Sequence, residues 1–236
     1  AKRLNFNYLS MKKLPNLHIF IGLTHERPFV TEVCKESILL HNPGVSIFPM
    51  HPQHIHGWTR KRTADQHTDH TIARFMCPAF CNFKGYSIFM DDDFIVRYIN
   101  DMQAVSVVQH RYNPTKIKYP STGNKIDDNS IFPRKNWSSF MLFNNEHPDC
   151  QRLTLDYVNN APASDLLHFK WTETPFIGKM PLLYNFLVDE YGPIKNIKNY
   201  HYTLGGPWAD ETKSCDFAKK WLYYEKKYKK RLTFNQ

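Results

Sequence analysis

The sequence predicts an α/β fold with a mostly parallel central sheet flanked by helices, on three observations. The chain opens strand, helix, strand; a second helix-spaced segment then leads into another apolar run; and that run meets three consecutive carboxylates, Asp91, Asp92 and Asp93. A β-α-β opening favours parallel strands joined by a right-handed crossover. Ligands of open α/β sheets gather beyond the carboxyl ends of such strands, which is where the triplet falls.

The elements are justified in order. Leu17-His18-Ile19-Phe20-Ile21-Gly22 is a short apolar run that stops at a glycine and a polar segment, the pattern of a buried strand. Residues 29–41 carry Val30, Val33, Ser37 and Leu40 at helical spacing and end at Asn42-Pro43-Gly44. Residues 45–50 read as the second strand. Residues 68–82 read as a second helix with Ile72, Phe75, Met76 and Ala79 on its apolar face. The run 87–96 is strand-like on both sides of the carboxylates, and residues 104–108 form a further strand. Residues 112–135 read as a polar loop with Pro, Gly and Asn. Ser138-Ser139-Phe140-Met141-Leu142-Phe143 returns to the sheet. No internal repeat and no linker stands out, so one domain over residues 1–236 is expected.

Composition sets outer bounds. A chain of 236 residues suffices for one large α/β domain, and 42% hydrophobic with 15% aromatic residues argues for a packed core and against disorder. The formal charge of +9 suits an anionic partner without choosing among nucleotide diphosphate, nucleic acid and membrane surface. Five cysteines, an odd number without framework spacing, read as reduced thiols in a cytosol-like compartment. Cys77 and Cys81 read as core filler. No run of about eighteen apolar residues exists, and the basic start, residues 1–14, lacks an apolar signal core. Cytoplasmic residence is therefore expected.

The chemistry concentrates at two places. In extended backbone Asp91 and Asp93 share one side and Asp92 takes the other. Charges in a partly dry site are costly unless paired, and a divalent cation carrying a phosphorylated ligand is their natural partner. Alone, the triplet is also readable as a solvated acidic turn. Downstream, His201 precedes Gly205-Gly206-Pro207-Trp208. A glycine pair permits close backbone approach of a phosphate, and an imidazole added to carboxylates suits manganese. Alone, this is also readable as a tight turn with a surface histidine. His51, His54, His56, His67 and His70 match no closed zinc spacing and read as loop and surface residues. Residues 219–231 set Trp221, Leu222, Tyr223, Tyr224 and Tyr228 among lysines. That pattern reads either as a membrane-surface helix or as a basic helix docked by its aromatics.

Together, Phe89-Met90-Asp91-Asp92-Asp93 and His201-Tyr202-Thr203-Leu204-Gly205-Gly206-Pro207-Trp208 resemble two motifs of glycosyltransferase family 8 and its bacterial and large-DNA-virus relatives. These are the metal-binding Asp-x-Asp and the C-terminal His-x-x-Gly-x-x-Lys-Pro-Trp of GT-A-fold enzymes that use nucleotide sugars. Ala73-Arg74-Phe75 resembles part of the helix before the Asp-x-Asp strand. Pro133-Arg134-Lys135-Asn136-Trp137-Ser138-Ser139 with Asn144 resembles the approach to the acceptor-side strand, and Pro181-Leu182-Leu183-Tyr184-Asn185 a later turn. The likeness runs from residue 17 to residue 208. It implies a single GT-A (Rossmann-like) domain, with a catalytic core over residues 15–208 and a basic aromatic helical tail over residues 209–236.

The resemblance implies a metal-dependent transferase moving a sugar from a nucleotide diphosphate-sugar, UDP-sugar first among them, to a glycan or glycolipid, with retention of configuration. Asp91, Asp93 and His201 would hold Mn2+ or Mg2+. Ile21, Gly22, Leu23 and Thr24 would hold the nucleoside, and Arg74 the donor sugar or phosphate. Asp92, Gly205 and Gly206 would complete the donor site. One departure stands out: Gly206 replaces the family's lysine before Pro-Trp. The diphosphate must then be gripped by metal, backbone amides or another base such as Lys179 or Lys213. On the acceptor side, sugars need aromatic faces and fixed polar partners, expected from Trp171, Tyr184, Asn144 and Asn185. Trp171 and Tyr184 are alternatively core residues. Asp93 is expected in the chemistry, with Glu173 or Asp189 assisting as base or transient nucleophile.

Two rival functions remain at this point. Clustered carboxylates with positive charge also suit a two-metal nucleic-acid enzyme. The positive charge here gathers in the tail and forms no base-stacking stripe, so no nucleic-acid partner is expected. A non-catalytic sugar-binding module on the same fold is the other rival, against which the intact triplet and His201 speak. The expected partners are donor and acceptor, with peripheral membrane contact through the tail.

Overall fold

The structure, a computed structural model, describes residues 17–63, 66, 68–95, 104–111, 114, 133–192 and 194–234. The basic start, His67, Val96 and nearly all of the polar loop 112–135 lie outside them.

In chain order the elements are β1 (Leu17–Gly22), α1 (Pro28–His41), β2 (Ser46–Met50), α2 (His70–Ala73), α3 (Cys77–Phe80), β3 (Tyr86–Met90), β4 (Phe94–Ile95), β5 (Val105–Val108) and β6 (Phe140–Asn144). There follow α4 (Pro148–Gln151), α5 (Leu155–Asn160), α6 (Ala163–Leu167), β7 (Ile177–Met180), β8 (Phe186–Leu187), β9 (Tyr200–His201) and α7 (Ala218–Phe234). Six strands form the central sheet in the order β2-β1-β3-β6-β5-β7. The β2–β1, β1–β3 and β5–β7 pairs are parallel, whereas β6 runs antiparallel to both of its neighbours. A second, small sheet has the order β4-β9-β8.

Strand alternation explains why both faces of the sheet are covered. Phe20, Phe89, Met141 and Phe143 point to one side, into a cluster closed by residues of α2, α3, α5 and α6. Ile19, Ile21, Ile88, Met90, Phe140 and Leu142 point to the other, against Cys34 and Ile38 of α1. A third cluster joins Val30 and Val33 of α1 to Ile95, Phe186 and Tyr200 of the small sheet and to Trp221 and Tyr224 of α7. The tail helix is thus built into the fold by its aromatics. At the open edge, β2 carries Pro49, which has no N–H to offer a further strand.

One sequence expectation changes. The helix expected over residues 68–82 is three short pieces, α2, a 3-10 turn at Arg74–Met76 and α3. Pro78 enters the first turn of α3 and cannot continue a hydrogen-bond ladder from the preceding turn. The two strand-like runs that flank the carboxylates lie in different sheets, β3 in the central one and β4 in the small one.

The packing of α7 gives a direct test. Trp221 is 1% exposed, so Trp221→Ala is expected to cost about 3–5 kcal/mol in urea unfolding. Tyr223 on the opposite face is 53% exposed, and Tyr223→Ala is expected to stay within about 0.5 kcal/mol. Equal stability of the two variants would contradict the docking of this helix.

Candidate active site

The carboxylates sit where the chain passes from one sheet to the other. The Asp91 amide donates to the Ser139 carbonyl at 3.0 Å, which ends the β3–β6 pairing, and the Tyr202 amide donates to the Asp93 carbonyl at 3.1 Å, which begins the small sheet. Between these anchors Asp91 and Asp93 turn to one side, and Asp92 turns inward, 1% exposed. Asp92 accepts from Arg27 Nη2 at 2.8 Å and from Thr31 Oγ1 at 3.4 Å, both at the start of α1. Burial pushes the Asp92 carboxyl up against the pull of Arg27. Arg27 also lies over the Trp208 ring, 5.6 Å from its centroid.

Asp91 is held by two side chains of the broken helix. Arg74 Nη2 stands 3.0 Å and His70 Nε2 3.3 Å from its Oδ1. Burial raises the Asp91 carboxyl, but Arg74 and the His70 hydrogen bond outweigh it and hold the carboxyl below its ordinary range. Arg74 is fixed from behind, its Nη1 donating to the Ser138 carbonyl at 2.7 Å, and its guanidinium lies 4.8 Å from the Phe89 ring centroid. His70 reaches Asp91 only because residue 22 has no side chain: a Cβ on Gly22 would stand 2.5 Å from the His70 ring.

His201 completes the group. Its Nε2 lies 3.2 Å from Asp93 Oδ1, and its ring stacks on Phe94 with centroids 4.4 Å apart. Its Nδ1 faces Asn185 Oδ1 at 3.0 Å. The Asn185 amide is oriented by its own donations, to Ser139 Oγ at 2.9 Å and to the Asn136 carbonyl at 3.4 Å, so its oxygen points at the imidazole. The His201 Nδ1–H therefore donates to it, and Nε2 is the nitrogen that faces Asp93. Asp91, Asp93 and His201 each offer one ligand atom, all within 4.8 Å of one another. With metal–ligand bonds of about 2.0–2.6 Å, that spacing can close on one cation. Two carboxylates and an imidazole suit Mn2+ or Mg2+ better than a soft-ligand metal.

Other expected site residues fall elsewhere. Asn144 pairs with Tyr86 at the start of β3, roughly 16 Å of strand away from Asp91. Glu173 is exposed just before β7, whose start pairs with the start of β5 at that same far end. Both are far from the carboxylates, Asn144 because β6 runs against its neighbours and Glu173 because it precedes β7, which runs the same way as β3. Trp171 is fully buried among Phe75, Phe143 and Phe169 and packs the core rather than a sugar face. Asn185 is fully buried behind His201, a positioning residue rather than a surface contact. Tyr184 is partly buried against the α1-side cluster. Asp189 follows β8, two strands from β4, and its carboxylate accepts from the Asp216 amide at 3.1 Å.

The donor-side residues line the strand ends. Ile21 is core, and Leu23 donates its amide to the Met50 carbonyl at 2.8 Å. Thr24 accepts the Arg27 amide through its carbonyl. Gly205 takes a left-handed φ of 112°, and Gly206 lies against the Trp208 ring, 2.2 Å from where a Cβ would stand. Sequence reasoning missed His70, Arg27 and Thr31. His70 stands four residues before Arg74, hence on the same helical face, and that spacing was the available signal.

No protein-family model matches the chain. The fold is that of GT-A glycosyltransferases. Glycosyltransferase GlyE of Streptococcus pneumoniae TIGR4 superposes with a TM-score of 0.56 at 11% identity over 88% of this chain, which spans 60% of that protein. Galactosyltransferase LgtC, solved with donor and acceptor sugar analogs, gives 0.55 at 12% identity, covering 89% of this chain and 95% of LgtC. In sequence, the chain is 32% identical over 240 residues to Protein CDI of Arabidopsis thaliana, covering 94% of this chain and 90% of the relative. The chain belongs to the family of Protein CDI.

A Mn2+ titration followed by thermal unfolding reads the cluster. At a hundred times its Kd the ion is expected to stabilise the wild type by about 2.7 kcal/mol. Asp93→Ala and His201→Ala should lose the shift. Asn185→Ala should weaken it by about 10–100-fold in Mn2+ affinity, since it frees the ring that it orients. A full shift in Asp93→Ala would show that the cluster holds no cation.

Proposed function

We propose that this chain is a metal-dependent glycosyltransferase that moves a sugar from a nucleotide diphosphate-sugar, UDP-sugar first among them, to a glycan or glycolipid, with retention of configuration. The observation that carries the reading is the Asp91, Asp93 and His201 cluster at the carboxyl end of β3. In a GT-A fold that strand end faces the ligand crevice. In the reaction the bond between the anomeric carbon and the diphosphate oxygen breaks. The acceptor hydroxyl oxygen takes its place, and the hydroxyl proton leaves with the diphosphate.

Each residue has a share. Asp91, Asp93 and His201 hold the cation, Mn2+ or Mg2+, which when bound neutralises the charge gathering on the departing diphosphate. Asn185 keeps His201 in the ligating tautomer. His70 and Arg74 keep Asp91 ionised and fixed in direction, so no reorganisation is needed as the charge develops. Arg27 neutralises Asp92, leaving the other two carboxylates to the cation. The strand end at Ile21, Gly22, Leu23 and Thr24 takes the nucleoside, and the turn at Gly205 and Gly206 takes the diphosphate through backbone amides. The acceptor docks on the carboxylate side, near Tyr184, and away from Asn144 and Glu173.

Release of nucleotide diphosphate from a panel of nucleotide sugars, with Mn2+ present, tests the proposal. The wild type is expected to turn over at least one UDP-sugar. Asp91→Ala and Asp93→Ala should fall by about 1,000-fold, the several kcal/mol that a Lewis acid supplies. Undiminished turnover by both variants in chelator would refute the metal mechanism. If no nucleotide sugar is bound or turned over by the wild type, the reading as a transferase fails.

A further inference from the structure

We propose that the outward face of α7 is a docking surface for an anionic phospholipid bilayer. The helix carries seven basic residues and one acidic one, Glu225, a net +6 out of the chain's formal +9. Its buried side holds Trp221 and Tyr224, so at 100° per residue most of the cations fall on the opposite arc. Lys219, Lys220, Lys226, Lys227, Lys229 and Lys230 are all exposed there. Two ion pairs among the described residues do little to mask this face. Arg231 is drawn inward to Glu36, and Lys229 meets Glu225 at 2.9 Å in an exposed i, i+4 contact.

Apolar groups stand within the lysine field. Leu222 is 43% and Tyr223 53% exposed, and Lys227 lies 5.4 Å from the Tyr223 ring centroid. Lysine ammonium groups at lipid phosphates with an aromatic and an aliphatic side chain between them match a headgroup boundary. Nucleic acid recognition would favour arginine forks and open stacking platforms, whereas the single arginine here is committed to Glu36. The first turns of this helix also touch the candidate active site: Trp221 packs on Trp208 with centroids 5.3 Å apart. A bilayer held against α7 would therefore lie beside the Gly-Gly-Pro-Trp turn, a placement suited to a lipid-linked acceptor.

Vesicle co-sedimentation tests this without any transfer reaction, so its outcome is separate from that of the proposed enzymatic activity. The intact chain is expected to bind phosphatidylcholine–phosphatidylserine vesicles at low salt and to ignore phosphatidylcholine alone. Binding should fade at high salt. Each lysine is worth about five-fold in surface affinity, so Lys219→Glu with Lys220→Glu, Lys226→Glu and Lys227→Glu should lower partitioning by at least about a hundred-fold. Leu222→Ser with Tyr223→Ser should weaken it as well, with the wild-type circular dichroism spectrum retained in both. No binding of the intact chain to anionic vesicles overturns the proposal, and so does unchanged binding of the fourfold variant. Tighter binding to a single-stranded oligonucleotide than to vesicles, with no effect of the Leu222 and Tyr223 changes, overturns it in favour of a polyanion surface.

Discussion

Three adjacent carboxylates cannot share one side of a strand end without severe mutual repulsion, and much of the structure around residues 91–93 is a response to that constraint. The backbone divides them between two environments. Asp92 turns into the interior, where Arg27 and Thr31 from the start of α1 meet it. Asp91 and Asp93 turn to the opposite side, one held by Arg74 and His70, the other facing His201. Removing one partner of a buried pair leaves an uncompensated charge, so α1, the broken helix and the small sheet are each pinned to the same three residues. The change of sheet between β3 and β4 falls at these same residues.

The scaffold around the cluster is rigid for reasons that lie one residue further out. Asn185, itself fully buried, decides which nitrogen of His201 carries the proton, and Phe94 decides the plane of the ring. Gly22 is required by crowding and not by backbone conformation, since it clears the path by which His70 reaches Asp91. Groups held in this way lose little freedom when a ligand arrives.

Much of the fold was legible because it rests on local periodicity. The alternating run at β1 and the helical spacing of α1 are written in consecutive residues, and both elements lie where that pattern puts them. The triplet and His201 were legible as chemistry, and the structure brings their side chains together. What could not be read were properties set by direction and distance. Asn144 lies at the wrong end of the sheet because β6 runs antiparallel, and Glu173 because it precedes β7, which runs the same way as β3; strand direction is not encoded in the strand itself. Trp171 was readable as a sugar platform or as a core residue, and the choice rests on packing with Phe75, Phe143 and Phe169, up to 96 residues away. The Arg27–Asp92 pair spans 65 positions and has no local signature. The helix over residues 68–82 is broken for a visible reason: Pro78 interrupts the ladder despite a good apolar face.

The way His201 is supported has one more consequence. Many metal-binding histidines donate their far N–H to a carboxylate, which lends negative charge to the ring and tightens its grip on the ion. Here the far N–H goes to a neutral amide, at 3.0 Å. The imidazole is aimed but not strengthened, so in the proposed metal site the hold on a cation would come almost wholly from Asp91 and Asp93. Asp91 in turn shares its charge with Arg74 and His70. A centre built this way suits an ion that is loaned rather than owned, arriving with one anionic ligand and departing with the next.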